Sequence, residues 1–246
     1  MTEKKCITIN RLFFSYCDSG DVVSDISLEV NKEQKVAVVG PNGSGKTTLF
    51  FLMCGLLKPQ RGRITVDGKA IKHNSFNKEV SYLFQSPDDQ LFSATIWDDI
   101  AFGPLNMGMD RNTVASEVDA ALKTTEISYL KSKSPHHLSG GEKRLAALAT
   151  LIAMQPEVYL LDEPTSNLDA RNRRNIISLI QRLPATMMIS SHDLEFLLEV
   201  CDRCILIDNG KIAADGSIRE ILSDESLLQQ HHLEKPHSLI PHEHNV

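Results

Sequence analysis

The sequence predicts an α/β fold, in which a parallel sheet is flanked by helices and interrupted by a helical insertion, and three observations carry that reading. Short β-rich runs bounded by turn residues fill the first third. The middle of the chain changes to helical spacing. After Pro156 the pattern returns as strand, helix, strand.

In the first third the runs are Ile26–Val30, Lys35–Val39, Ile64–Val66 and Val80–Phe84, which read as mixed sheet. Between Ser86 and Gln155, Ala115, Val118, Ala121 and Leu122 recur on one helical face, as do Leu145, Leu148 and Leu151. Val158–Asp162, Ala170–Leu183 and Met187–Ser191 follow the grammar of a parallel α/β sheet, so the two β-rich parts are expected to share one sheet. From Ser223 onward polarity rises, and His231, His232, His237, His242 and His244 accumulate. That composition predicts a helix fraying into a solvated tail; imidazoles suit Ni²⁺ or Co²⁺, but this spacing is too loose to define a site.

The chain has 246 residues, 41% of them hydrophobic, enough for one large domain or a core with a smaller subdomain. A net charge of −6 supplies no basic field for nucleic acid or an anionic membrane. Five cysteines, an odd number without dense spacing, and no signal-like opening segment fit a reducing cytoplasm. The longest apolar runs are too short to cross a bilayer, so a membrane role is expected to come through another subunit.

The chemistry begins at Gly40-Pro41-Asn42-Gly43-Ser44-Gly45-Lys46-Thr47-Thr48. The segment fits G-x-x-x-x-G-K-[ST], follows the apolar strand Val36–Val39 and precedes a helix-compatible run to Cys54. The glycines let backbone N–H groups turn inward around phosphate, and the helix start adds unsatisfied donors and its positive dipole end. Lys46 suits the β and γ phosphates of a nucleoside triphosphate, ATP being the expected ligand, and Thr47 suits Mg²⁺. The motif alone does not choose between ATP, GTP, a kinase and a motor.

Val158–Glu163 is an apolar strand ending in two carboxylates at the edge where a parallel sheet binds ligands. Asp162 is the Mg²⁺ candidate and Glu163 the candidate general base for an attacking water. Ser139, Gly140, Gly141 and Glu142 precede a helix expected over 143–154 and offer a second anion site at a helix start. Taken alone, each segment also reads as an ordinary turn or cap. Cys201 and Cys204 have C-x-x-C spacing but fall where a helix end enters a strand, which disfavours a zinc or redox role.

The P-loop, Gln85, Leu138–Glu142, Leu160–Pro164, Ser166–Asp169 and His192 stand in the order found in ATP-binding cassette (ABC) ATPases, and the resemblance spans Ile7 to about Leu222. It implies a P-loop NTPase (RecA-like) core with an antiparallel β subdomain and an inserted α-helical subdomain at about 86–155. The ATPase domain would be 1–222, followed by a C-terminal helix and His-rich tail at 223–246. The resemblance further implies a head-to-tail dimer with a second ABC ATPase subunit, identical or paralogous, in which Ser139 and Gly141 of one copy close on the ATP held by the other. On matching positions Tyr16 is the adenine-stacking aromatic, Gln85 the metal and water contact, and His192 the γ-phosphate switch. Two departures stand out: Glu142 replaces the usual Gln, and Cys17–Asp21 is atypical after Tyr16.

Gln85–Phe92, with Thr95 and Asp98–Leu105, resembles the ATPase subunits of energy-coupling factor importers, which take up cobalt, nickel or vitamins. The implied partners are a transmembrane coupling subunit docking near Gln85–Phe92 and a substrate-binding membrane subunit, at the cytoplasmic face of the cell membrane. Leu91 and Phe92 are the expected apolar contacts; alternatively Leu91, Phe92 and Trp97 seal the helical insertion onto the sheet. Arg182–Thr186 and Ser191–Glu199 favour the cobalt or nickel branch. A vitamin importer or an exporter shares the same catalytic residues. A soluble ABC ATPase acting on DNA or ribosomes is disfavoured by the single cassette, the short spacing from Gln85 to Ser139 and the acidic balance.

Overall fold

The structure is a computed structural model describing residues 4–17 and 20–240. Strands β1 (Lys5–Ser15) and β2 (Asp21–Asn31) lead to β3 (Lys35–Val39) and helix α1 (Lys46–Cys54). Next come β4 (Arg61–Val66), β5 (Lys69–Ala70) and β6 (Val80–Leu83). Helices α2 (Ile96–Asn106), α3 (Arg111–Thr124) and α4 (Gly140–Ile152) form the insertion. The chain continues as β7 (Val158–Asp162), α5 (Ala170–Arg182), β8 (Thr186–Ser190), α6 (Leu194–Val200), β9 (Arg203–Asp208), β10 (Lys211–Ser217), α7 (Ile218–Ser223) and α8 (Glu225–Gln230).

Two sheets result. One is antiparallel, ordered β2-β1-β4-β5; the other is ordered β10-β9-β3-β8-β7-β6, parallel except for its β10 edge. The expectation of one shared sheet therefore holds for Lys35–Val39 and Val80–Leu83 and fails for Ile26–Val30 and Ile64–Val66, which pair with or beside β1. Burial explains the division. β7 and β8 are buried at every residue because both faces are covered, whereas β2 alternates exposed and buried positions as a strand with one solvated face does.

Alternation along the parallel strands sorts the interior into two layers. Val36, Val38, Leu160, Met188 and Ile205 pack toward α1 and the antiparallel sheet. Ala37, Val39, Leu161, Ile189 and Leu206 pack toward α4, α5 and α6. Asp162 and Glu163 emerge where β7 leaves this double-covered layer.

Helix boundaries follow local chemistry. α4 begins at Gly140, ahead of the expected Lys143, because Ser139 caps it in a reciprocal box with Glu142. α5 stops at Arg182 because Pro184 forces Leu183 into an extended conformation. The Thr95 cap starts α2, whose helical character Gly103 and Pro104 disguise in the sequence.

The C-terminal segment through Ile240 does not fray as expected. Leu228 is buried, His231 Nδ1 lies 2.8 Å from Asp208 Oδ2, and the Ser238 N–H and hydroxyl donate to the Glu195 carboxylate at 2.9 and 2.6 Å. His242 and His244 lie outside the described residues. Among the described residues no helix is long and apolar enough to cross a membrane.

Candidate functional site

β3 delivers the chain into the loop at Gly40, where φ is 150° and glycine is required because a Cβ there would overlap the Ile207 carbonyl. Gly45, at φ 104°, passes close over the Val22 carbonyl and opens α1. Lys46 is buried and folds back, its ammonium donating to the carbonyls of Gly40 at 2.7 Å and Pro41 at 2.9 Å. Burial lowers its pKa, so a phosphate would relieve an ammonium now held only by neutral oxygens.

At the end of β7, Asp162 is buried and fully engaged. Its Oδ2 accepts from the Thr47 hydroxyl and from the Tyr82 phenol, both at 2.9 Å, while Oδ1 accepts from the Ser190 hydroxyl. Burial, followed by the Asp162 charge, raises the Tyr82 pKa, so that phenol stays a donor. Glu163 adopts φ 51° and accepts from the His192 N–H at 2.9 Å and the Ser191 hydroxyl at 3.2 Å. His192 Nε2 stands 3.8 Å from Glu163 Oε1. Burial raises the Glu163 carboxyl above its ordinary value, the direction a proton acceptor needs.

Tyr16, loop residues Asn42 to Thr48, Gln85, Asp162, Glu163 and His192 line one pocket of about 350 Å³. Tyr16 meets Phe14 edge-on, with ring centroids 4.9 Å apart, and its hydroxyl lies 3.3 Å from Thr48 Oγ1. The Thr47 hydroxyl bonds the Asp162 carboxylate and the Gln85 amide lines the same pocket; these are hard oxygen donors, a set that suits Mg²⁺.

A single chain does not bring the 139–142 segment into this pocket. Ser139 and Glu142 line a separate cavity of about 680 Å³ with Tyr129, Asp169, Arg171 and Asn172. The Ser139 N–H and hydroxyl both donate to Glu142 Oε2 at 2.9 Å, and Tyr129 donates to Oε1 at 3.2 Å. The Ser139 N–H bond is the main reason the Glu142 carboxyl sits below its ordinary value. Gly141 presses on Asn172, leaving no room for a Cβ.

Beside Gln85 an apolar groove of about 500 Å³ is lined by Phe76, Tyr82, Phe84, Phe92, Phe102 and Met154 among others. Phe92 and Phe102 meet edge-on at 5.1 Å and are 65% and 51% exposed. Leu91 is not a groove contact: it is buried in the helical core, and Trp97 packs against that core, the sealing role considered as the alternative. Asp99 holds the bend by accepting from the Phe92 and Ser93 N–H groups at 3.0 and 2.9 Å.

Several of these residues were not singled out by sequence. Tyr82, Ser190, Gln90 and Arg144 act through partners remote in the chain, Asp99 through backbone N–H groups of the bend before its helix, and only capping signals at Thr95 and Ser139 hinted at the local geometry. Cys201 and Cys204 are core thiols; burial raises both, Cys204 to about 12, and no group of three or more His, Cys, Asp or Glu side chains that could hold a metal ion occurs among the described residues.

Comparison with known proteins bears on the whole arrangement. Residues 23–166 match the family model described as ABC transporter. A Synechocystis sp. protein named as an ABC transporter ATP-binding protein is 47% identical over 95% of this chain and 82% of its own length. The energy-coupling factor transporter ATP-binding protein EcfA of Methanothermobacter thermautotrophicus is 38% identical over 94% of this chain and 76% of its own. The solved structure of CbiO1 from Clostridium perfringens, described as part of the ABC transporter complex CbiONQ, superposes with a TM-score of 0.81 at 32% identity, covering 93% and 94% of the two chains. With a buried lysine in a phosphate-type loop facing two carboxylates, and with these relatives, the chain belongs to the ABC transporter family and is an ABC ATPase.

Proposed function

We propose that this chain is the ATP-hydrolysing subunit of an energy-coupling factor type importer, driving uptake of a transition metal ion, cobalt or nickel, at the cytoplasmic face of the membrane. The observation that carries the importer reading is the exposed aromatic groove of Phe76, Phe84, Phe92 and Phe102 immediately beside Gln85. An apolar groove of this size fits a short amphipathic helix of a membrane subunit. The names of the EcfA relatives and the complex containing CbiO1 support the same reading.

In this reading the loop 40–48 holds the phosphates and Tyr16 stacks on the adenine. Lys46 exchanges its carbonyl partners for phosphate oxygens. Thr47, Asp162 and Gln85 would hold Mg²⁺, whose charge would offset that of the phosphates. Glu163 accepts the proton of the attacking water, its carboxylate held by Ser191 and the His192 backbone, and the His192 ring faces the γ-phosphate. Ser139, Gly140, Gly141 and Glu142 complete the site on a second cassette, so hydrolysis requires a dimer, a homodimer or a pair with a paralogue.

Co-purification from native membranes tests the assignment: a transmembrane coupling subunit and a substrate-binding membrane subunit are expected, and recovery of only ribosomal or DNA-associated proteins would overturn it. Uptake of radiolabelled Ni²⁺ or Co²⁺ by vesicles carrying the complex tests the cargo. ATP-dependent uptake of a vitamin instead would move the chain to the other importers of this kind.

A further inference from the structure

Tyr82 belongs to two places at once. On β6 it pairs in register with Leu160 of β7, so its side chain shares a sheet face with Leu160 and with Asp162 two residues on. Its hydroxyl donates to Asp162 Oδ2 at 2.9 Å, and the same residue forms part of the wall of the apolar groove. The ring is fixed by three edge contacts, to Phe50 at 6.4 Å and Phe51 at 5.3 Å on α1, and to Phe84 at 4.9 Å. α1 is the helix that carries Lys46 and Thr47.

We propose that Tyr82 is a positioning residue for Asp162 when that carboxylate binds a divalent cation, and that it transmits what fills the groove to the metal end of the nucleotide pocket. The proposal rests on the reading of Asp162 as a metal ligand.

The hydrogen bonds carry the argument. Three hydroxyls bond the carboxylate: Ser190 on Oδ1, and Thr47 and Tyr82 on Oδ2. Thr47 is itself a candidate ligand, so when its hydroxyl turns to a cation, Tyr82 is left as the donor that fixes Oδ2. Donors of this kind to a metal-ligating carboxylate typically change metal affinity by about 10–100-fold when removed. Of the rings around Tyr82, Phe50 is buried beneath the sheet, whereas Phe84 lines the groove with Tyr82. A side chain entering the groove meets Phe84 and Tyr82, not the cation. This route to the pocket is separate from Gln85.

The full chain loaded with a non-hydrolysable ATP analogue and titrated with Mn²⁺, followed by electron paramagnetic resonance, provides the test. Asp162→Asn checks the underlying reading: Mn²⁺ affinity unchanged from the unsubstituted chain would remove Asp162 as a ligand, and the proposal with it. If Asp162→Asn weakens Mn²⁺, Tyr82→Phe is expected to weaken it about tenfold while leaving analogue affinity without metal unchanged. An effect below about twofold would overturn the positioning role while leaving the Asp162 reading intact. For the groove, Phe84→Leu is expected to weaken Mn²⁺ in the unsubstituted chain and to add nothing in the Tyr82→Phe background. Equal effects in both backgrounds would break the link between groove and metal ligand.

Discussion

The Arg144 guanidinium donates at 2.7 Å to the backbone carbonyl of Gln85, so one side chain ties the helix that starts at the Ser139 cap to the pocket lined by Gln85, the 42–48 loop and Asp162. Its other bonds run to the Phe84 carbonyl at 2.9 Å and the Ser166 hydroxyl at 3.3 Å. Gln90 reinforces the same junction, with its side-chain amide donating to the Ala147 carbonyl at 2.8 Å and the Thr150 hydroxyl at 2.6 Å.

Removing that tie takes a charged donor from two partly buried carbonyls. Arg144→Ala is expected to cost about 3 kcal/mol, read as a lower urea midpoint with an unchanged m-value. Arg144→Lys offers one point charge in place of a planar fork and should recover less than half of the loss. An unchanged midpoint for the alanine variant would show that the guanidinium contributes nothing net.

Glu163 gives a prediction in which activity and stability move in opposite directions. Burial holds its carboxyl above the ordinary 4.5, so between that value and its folded pKa the native state binds more protons than the unfolded chain. Stability attributable to this group therefore falls as pH rises through that window. Glu163→Gln carries no such penalty: it should melt higher than the unsubstituted chain at neutral pH, with the difference shrinking as pH is lowered toward 4.5. Turnover should stop while ATP binding persists. Calorimetric melting across pH, with a phosphate-release assay, checks both parts.

Gly141 and Asn172 form a steric pair across the starts of α4 and α5, with the Asn172 amide held by Asp169 at 2.9 Å. Gly141→Ala is expected to cost about 1–3 kcal/mol, because a methyl group has no space there. Adding Asn172→Ala should recover most of that cost, giving a non-additive cycle in chemical denaturation. Additive losses would place the strain elsewhere.

Phe92 separates docking from catalysis. At 65% exposure its ring contributes little to folding, so Phe92→Glu should leave melting temperature and the isolated subunit's ATP hydrolysis unchanged. The same change puts a charge into the apolar groove and should abolish recovery of the membrane subunit in pull-downs. Normal recovery would move the docking surface off this groove.

What could be read from the sequence was what is local. The loop from Gly40 to Thr48, the strand ending at Asp162, and the Ser139–Glu142 cap each depend on neighbouring residues; the loop and the strand formed where their segments predicted, and the cap starts its helix at Gly140, ahead of the expected Lys143. Leu91 and Phe92 show the limit. Adjacent and both apolar, they part at a bend held by Asp99, so that one enters the core and the other faces outward.

The sequence by itself determined the local form of the Gly40–Thr48 loop and of the strand that ends at Asp162, because their backbone form is set within a few residues. Only the tertiary structure decided which strands went to which sheet, that Tyr82 bonds Asp162 across 80 positions, and that Arg144 reaches Gln85 across 59. The physical reason is register. A one-residue slip between β6 and β7 would turn Tyr82 to the opposite face, and that pairing is fixed by burial on both sides of the sheet, which no local segment encodes.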